Sequence, residues 1–121
     1  MAIKNFTASG AIPAYSVVKA TATAGIVAQA TAAADLVIGV IGDVAKADGE
    51  RVDVYVGEEA YATAGAAIAF GKRLISNAAG RVIEAAAAAG TNVNTVGVAM
   101  QDATAAGDLI RIYSVPGTFQ G

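Results

Sequence analysis

The chain of 121 residues contains no cysteine, no histidine and no tryptophan. Without cysteine it has neither disulfides nor thiolate metal ligands, and without histidine it lacks the commonest general base and the commonest zinc ligand. These absences exclude much of ordinary catalytic chemistry. We therefore expect a protein that is not an enzyme and that uses no metal and no cofactor.

Charge is also scarce, with eight basic and ten acidic residues and a net charge of −2. The basic residues are not clustered, so the sequence lacks the electrostatic footprint of a protein that binds nucleic acid or an anionic membrane. No stretch reaches the roughly 18 continuous apolar residues of a membrane span, and residues 1–10 lack the apolar segment of a signal peptide. We expect no nucleic-acid partner, no membrane partner, and a soluble protein made in the cytoplasm.

Hydrophobic residues make up 55% of the chain, and most of the excess is alanine and valine. Small side chains on a charge-poor chain suit a surface that lies against other protein. They equally suit the narrow interior of a small β-barrel, which favours Ala, Val and Gly. The two interpretations are compatible, and composition does not choose between them.

One long pattern occurs twice in the sequence. Residues 38–56, IGVIGDVAKADGERVDVYV, align without a gap with residues 96–114, VGVAMQDATAAGDLIRIYS. Each copy has a glycine between β-branched residues, then a glycine followed by an acid, then an alternating strand. Upstream, residues 11–27 align with residues 67–82 with one residue of slippage. The pattern predicts an all-β domain with an approximate internal two-fold repeat and little helix.

The bounds of this domain follow from the repeat. We place a single β-domain at residues 11–115, with half-repeats at about 11–56 and 67–114. Residues 1–10 show no periodicity and are predicted to form an arm, either frayed or ordered against a partner. Residues 116–121 are predicted to be a tail, because their proline is expected to end the last strand.

The alternating strand of each copy predicts which side chains are buried. Val52 and Val54 share one face, and Tyr55 lies on the opposite one. By the repeat, Ile110 and Ile112 should be buried in equivalent places in the second half.

The connecting segments show no chemistry of their own. Two alanine-rich stretches, 30–35 and 85–90, are expected to be irregular or single helical turns. Glu58 and Glu59 are interpreted as a solvated loop between the halves, because no base, metal ligand or phosphate-binding motif lies near them.

Two pairs of segments carry a resemblance to a known family. They are AGIVAQATAAADLVIGV with DGERVDVYV, and AGAAIAFGKRLISNAAGRVIEA with TVGVAMQDATAAGDLIRI. Over roughly residues 11–115 the chain resembles the capsid cement or head-decoration proteins of tailed bacteriophages, of which the lambda decoration protein is one. The segment before residue 11 is shorter than the arm of the lambda-type proteins.

The resemblance implies a β-clip or β-tulip-like barrel without enzymatic activity. It also implies attachment to the major capsid protein on the outer surface of the virion head, commonly as a homotrimer at local three-fold positions. The alternatives left open are a β-domain of another surface array and a non-catalytic carrier or binding module. A lipoyl-type carrier would display a lysine on a hairpin, and none is apparent.

Aromatic side chains are the predicted contacts with the capsid or between copies, because they most often anchor interfaces. Phe70, at the expected start of a strand, should be the most buried of them, whereas Phe6 and Phe119 have no evident core to join. The predicted contact residues are Ile3, Phe6, Tyr15, Tyr61, Phe70 and Phe119.

Overall fold

The computed structural model describes the backbone of residues 2–85 and 92–120 and the side chains of residues 4–85 and 93–117. The regular elements within these ranges are all strands, so the all-β prediction is confirmed. The described residues offer no helix with the length and hydropathy that a membrane crossing needs. The ten strands are β1 (Ala2–Ala8), β2 (Val17–Ala20), β3 (Ile26–Gln29), β4 (Val37–Ile41), β5 (Arg51–Val56), β6 (Glu58–Thr63), β7 (Arg73–Ser76), β8 (Val82–Glu84), β9 (Asn92–Ala99) and β10 (Leu109–Gln120).

Five strands close into a barrel, and the other five form a second sheet. The barrel has the order β1-β3-β2-β4-β5, closed by pairing of β1 with β5, and the second sheet has the order β6-β10-β9-β7-β8. All strand pairs are antiparallel except β1 and β3. Short strands rich in valine and isoleucine and separated by glycine turns are typical of small barrels.

The internal repeat runs through both sheets, with β1 to β5 corresponding in order to β6 to β10. In the first half Val18 lies opposite Gly39. In the second half Leu74 lies opposite Gly97 at the same place in the pairing. The predicted two-fold repeat is therefore present in the strand register as well as in the sequence.

Strands β1 and β6 also occupy equivalent places, and neither was predicted. Phe6 on β1 lies opposite Val52 on β5, and Ala62 on β6 lies opposite Ile110 on β10. Because β1 is a wall of the barrel, the prediction of an arm over residues 1–10 is wrong for this strand. The strand joins the barrel through main-chain pairing with β5, and most of its described side chains are not fully buried, so its sequence lacks a clear apolar alternation.

The interpretation of Glu58 and Glu59 as a solvated loop is also wrong, because both residues lie in β6. Ala60 and Ala62 on this strand are buried, whereas Glu59 and Tyr61 are exposed. The alternation is real, but its inward residues are alanines. Alanine carries little β-signal, so the strand is hard to recognise from sequence.

The predicted C-terminal tail continues the last strand instead, because β10 runs on to Gln120. The pairing of β10 with β9 shifts in register between Ser114 and Gly117. Pro116 lies within this bulge, where no ladder hydrogen bond is needed from its missing N–H. The proline therefore bends the strand and does not end it.

The first alanine-rich connection, at residues 30–35, is a turn without a helix, as predicted. Its shape is held by the Asp35 carboxylate, which accepts hydrogen bonds from the N–H of Thr31 at 2.8 Å and of Ala32 at 3.0 Å. The second connection, at 85–90, falls almost entirely outside the described residues.

The core consists of two clusters, one inside the first barrel and one that fills the second half and its junction with the first. Val52, Val54, Ile110 and Ile112 are at most 2% exposed, which confirms the predicted alternation. The first cluster contains Ala8, Ile12, Val18, Val27, Ile41, Val52 and Val54. The second cluster contains Val17, Ala30, Val40, Ala60, Ala62, Ala64, Ile68, Leu74, Val82, Val96, Ala99, Ala103, Ile110 and Ile112.

The outer wall of the first barrel packs against the second sheet. Val17 and Val40 belong to strands of the first barrel, yet both are buried in the core of the second half. The N–H of Val17 donates to the carbonyl oxygen of Gly80 at 2.9 Å, and the Ser114 hydroxyl donates to the carbonyl oxygen of Tyr55 at 2.9 Å. The two halves are thus joined by both apolar packing and hydrogen bonds.

Candidate functional site

Reactive side chains do not converge in the described part of the chain. No group of three or more acidic side chains there is placed to hold a metal ion. Two buried serine hydroxyls make structural hydrogen bonds at 2.9 Å, Ser76 to the carbonyl oxygen of Asn77 and Ser114 to that of Tyr55. Side chains available for function therefore have to be sought on the surface.

One outer face of the second sheet exposes large apolar side chains. Tyr61 on β6 is 49% exposed and lies opposite Arg111 on β10. Tyr113 and Leu109, on the same strand as Arg111, are 43% and 42% exposed. We call this surface the β6–β10 face and define it by Tyr61, Leu109, Arg111 and Tyr113.

The repeat shows why this face is exposed. Tyr113 corresponds to Tyr55 of the first half, and each lies on the face of its strand opposite to the buried side chains of its own half. Tyr55 is partly buried because it packs against the core of the second half. Tyr113 has no such cover among the described residues, so the β6–β10 face is a wall that the chain itself leaves open.

A second surface feature is a cleft of about 370 Å³ at the junction of the two halves. Three tyrosines and two carboxylates lie along it. Pockets often form between packed units, where walls from separate elements meet. We call it the interhalf cleft; its lining residues are Tyr15, Ile41, Gly42, Asp43, Tyr55, Glu59, Ala60 and Tyr61.

Local backbone geometry positions the aromatic walls of the cleft. Tyr15 has a φ of +59°, which is uncommon for a residue other than glycine, and its counterpart in the second half is Gly71 with a φ of +86°. Gly42 lies against the ring of Tyr55, since a Cβ added there would be 3.4 Å from a ring carbon. That separation is an ordinary contact, so the ring lies beside Gly42 without depending on the glycine.

The charge of the interhalf cleft is one-sided. Asp43 and Glu59 line it, and no lysine or arginine does. Within the described residues, neither carboxylate accepts a hydrogen bond or forms an ion pair. In contrast, Lys19 and Asp35 elsewhere in the first half lie 3.7 Å apart as a salt bridge.

Phe70 lies where the prediction of burial is wrong, because its side chain is 66% exposed. The residue is in a turn that precedes β7 and includes Gly71 with its positive φ. The N–H of Phe70 donates to the carboxylate of Asp102 at 2.7 Å, which fixes the backbone and leaves the ring outside.

The other predicted contact residues differ in their surroundings. Phe6 is half-buried against the core of the first barrel, so the expectation that it has no core to join is wrong. Tyr15 and Tyr61 both line the interhalf cleft. Ile3 and Phe119 lie in strands, but their side chains are outside the described set. As capsid or oligomer contacts, all of these residues remain predictions.

Sequence reasoning did not single out Asp43, Leu109, Arg111 or Tyr113. The alternation of β10 does predict that Arg111 and Tyr113 point outward. Their exposure depends on how the halves pack, which no local pattern reports. Asp43 gives no sequence signal at all, because it becomes part of a site only when β6 is placed beside it.

Comparison with known proteins places this fold in a family. A sequence model of the phage cement protein family matches residues 5–114. Among solved structures, the chain is similar to one described as the head fiber gp8.5 N base in bacteriophage phi29. That likeness has a TM-score of 0.67 at 18% identity and covers 93% of this chain and 92% of that chain.

This structural likeness shows a shared fold. No curated protein gives a significant match. The family match extends from β1 into β10 and so includes both halves of the repeat. The chain belongs to the phage cement protein family and is a structural decoration protein of the phage capsid.

Proposed function

We propose that this chain binds the major capsid protein on the outer surface of the head and stabilises the shell without catalysing any reaction. The β6–β10 face is the observation that carries this proposal. Tyr61, Arg111 and Tyr113 are of the residue types that most often anchor protein interfaces. They stand on two paired strands, so their positions are fixed before binding and little order is lost on contact.

The proposed stabilisation of the shell is mechanical. A decoration protein that contacts neighbouring capsid subunits adds bonds that must break before the shell can open. A contact of the usual size, about 1,600 Å² in total, is enough for stable attachment. We propose a homotrimer, because three copies attached together raise the effective concentration of each contact and give avidity.

One observation supports the outer location, and another supports a large contact with other protein. The similar solved structure is described as the base of a head fiber, and the two chains share a fold over nearly their whole lengths. The charge-poor composition also favours a large contact with other protein, because few charged groups have to lose water on binding.

Among the predicted contacts, we propose Tyr61 and Phe70 as exposed anchors and Ile3 and Phe119 as further contacts from the strands at either end of the chain. The proposal includes no nucleic acid, membrane or cofactor as a partner.

The test is to add purified protein to expanded heads that lack it and to measure co-sedimentation and the melting temperature of the heads. We expect saturable binding and a higher melting temperature. The double substitution Tyr61→Ala with Tyr113→Ala should weaken binding by at least about tenfold while the protein stays folded.

Leu36→Ala is the matched control, because Leu36 is an exposed apolar side chain that precedes β4 and lies outside the β6–β10 face. It should bind as the wild-type chain does. Absence of binding by the wild-type chain would contradict the proposed function, and equal losses in both variants would contradict the role of this face.

A further inference from the structure

We infer that the interhalf cleft is a receptor for an arginine side chain presented by the capsid protein. This inference rests on the proposed function for the identity of the partner, but the chemistry of the cleft can be tested without it. Three features of the cleft support the inference: its aromatic side chains, its unpaired carboxylates, and the presence of Tyr15 and Asp43 where the second half has Gly71 and Gln101.

The aromatic walls suit a cation. Tyr15 in the turn before β2, Tyr55 on β5 and Tyr61 on β6 line one cleft. The face of an aromatic ring attracts a cation within about 6 Å. A guanidinium group is planar and weakly hydrated and stacks on such rings more readily than an ammonium group does.

The two carboxylates of the cleft suit a guanidinium group as well. Asp43 and Glu59 line the same cleft, and the residues that line it include no lysine or arginine. Basic side chains lie outside this lining: Lys46 and Arg51 share an adjoining pocket with Asp43, and Arg111 on β10 is opposite Tyr61. In the described part of the structure the two carboxylates have no hydrogen-bond donor and no ion-pair partner, so their oxygens are available. A guanidinium offers several N–H donors in a fixed plane and forms charge-assisted hydrogen bonds with carboxylates.

A second cleft of the molecule is acidic but lacks these features. Glu84 and Asp102 also line a common cleft, but it contains no aromatic side chain. Their carboxylates already accept hydrogen bonds from the N–H groups of Ala69 at 2.8 Å and Phe70 at 2.7 Å. These acids therefore have a structural role that Asp43 and Glu59 lack.

The repeat gives an independent argument that the side chains of Tyr15 and Asp43 are not needed for the strand order. The two halves build the same strand order, yet Tyr15 is replaced by Gly71 at the equivalent position. Asp43 corresponds to Gln101 in the ungapped alignment of the halves. The second half builds its five-stranded sheet without a tyrosine or an acid at these positions, so the strand order does not require either side chain. Binding of a cation would give both side chains a role in the cleft.

The size of the cleft is consistent with one side chain. A volume of about 370 Å³ is at the lower end of the range for small-molecule sites, roughly 300–1,000 Å³. One long basic side chain can enter it from a partner whose main chain stays at the surface. Tyr61 also belongs to the β6–β10 face, so a partner seated on that face would be adjacent to the cleft.

The first test uses N-acetyl-argininamide as the probe and follows the tyrosine ring signals of the whole protein by NMR. We expect saturable binding with a dissociation constant on the order of 10 mM, because a single side chain makes few contacts. The neutral isostere N-acetyl-citrullinamide should not bind, and N-acetyl-lysinamide should bind more weakly. Shifts that do not saturate with the arginine probe, or equal binding of the citrulline or lysine probe, would overturn the inference.

The second test uses the double variant Asp43→Asn with Glu59→Gln, which keeps the size of both side chains. It should weaken binding of the arginine probe by at least about tenfold. The control is Glu84→Gln with Asp102→Asn, which changes the net charge equally in the cleft without tyrosines and should leave probe binding unchanged. Equal loss in both variants would overturn the inference in favour of a general charge effect.

The third test separates the cleft from the proposed function. The Asp43→Asn, Glu59→Gln variant should bind heads at least about fivefold more weakly than the wild-type chain, and added salt should reduce this difference. If the variant loses the probe but binds heads normally, the capsid arginine is the wrong occupant. If the wild-type chain itself fails to bind heads, the proposed function fails, and the probe titration still decides whether the cleft binds a guanidinium.

Discussion

The carbonyl oxygen of Tyr15 accepts a hydrogen bond from the N–H of Thr63 at 3.3 Å. Through this contact a segment of the first half becomes part of the wall of the second half. In the first barrel the equivalent donor is Thr7, whose N–H donates to the carbonyl oxygen of Gly25 at 2.9 Å. The first barrel therefore closes on itself at this point. The second half is completed there by a segment from its partner half.

Separate expression of the halves tests this asymmetry. A fragment of residues 57–121 is expected to show no cooperative unfolding, because it lacks the segment that pairs with Thr63 and Gly80. Adding a fragment of residues 1–56 should restore structure, measured by circular dichroism and by dispersion of amide NMR signals. A sharp thermal transition of the 57–121 fragment alone would contradict the account.

Deletion of residues 1–8 is expected to destabilise the domain, because it removes β1 and uncovers the edge of β5. We expect the melting temperature to fall by at least about 10 °C. Deletion of residues 119–121, which removes only the end of β10, is the comparison and should have a much smaller effect. An unchanged melting temperature after loss of β1 would show that this strand is an arm after all.

Gly97 and Gly39 lie at equivalent places where a strand passes close to a neighbouring carbonyl group. A Cβ added at Gly39 would be 2.5 Å from the carbonyl oxygen of Tyr55, and one at Gly97 would collide with that of Tyr113. Gly97→Ala and Gly39→Ala should each lower the free energy of unfolding by about 1–3 kcal/mol in chemical denaturation.

Gly42→Ala is the control for this pair, because a Cβ there would meet the ring of Tyr55 at 3.4 Å, an ordinary contact. It should change the free energy of unfolding by less than about 1 kcal/mol. If all three substitutions have equal effects, the close approach at the repeated glycine is not the cause.

Two turns use the same capping arrangement, in which an aspartate binds the residues three and four positions before it. Hydrogen bonds from the side chain and N–H of Thr104 and from the N–H of Ala105 lower the pKa of Asp108. Burial raises the pKa of Asp35, but hydrogen bonds from Thr31 and its neighbour, with Lys19, outweigh it and leave this pKa lowered as well.

These pKa shifts predict a pH dependence with a definite sign. The folded pKa of Asp35 and of Asp108 lies below the ordinary value of 3.8, so the stabilisation is present above pH 3.8 and is lost as the pH falls through the folded pKa. Asp108→Asn should therefore reduce the loss of stability on acidification, measured by urea unfolding between about pH 2 and 5. A wild-type stability that does not change over this range would contradict the assignment.

The sequence predicts the fold most reliably where a pattern is repeated. The buried pair Val52 and Ile110 follows from period-two alternation in two aligned strands. A weaker repeated signal, T-A-x-x-A-I, starts at Thr7 and again at Thr63, where β1 and β6 end. The side chains of β1 and β6 themselves are mostly small or polar, and both strands are held by main-chain pairing, so neither strand shows a clear apolar alternation.

The surface sites were less predictable for a physical reason. Tyr55 and Tyr113 have the same local sequence pattern, and only the packing of one half on the other buries the first and exposes the second. Asp43 and Glu59 are 16 residues apart and share a cleft only because β6 crosses near the end of β4. Exposure and convergence are properties of the whole assembly of strands.

The most direct test of the central claim is cryo-electron microscopy of expanded heads with and without this protein. We expect added density on the outside of the shell that fits a five-stranded barrel joined to a second five-stranded sheet. Tyr61 and Tyr113 should face the major capsid protein, with three copies around a local three-fold position. Density on the inner surface, or heads that look identical with and without saturating protein, would contradict the account.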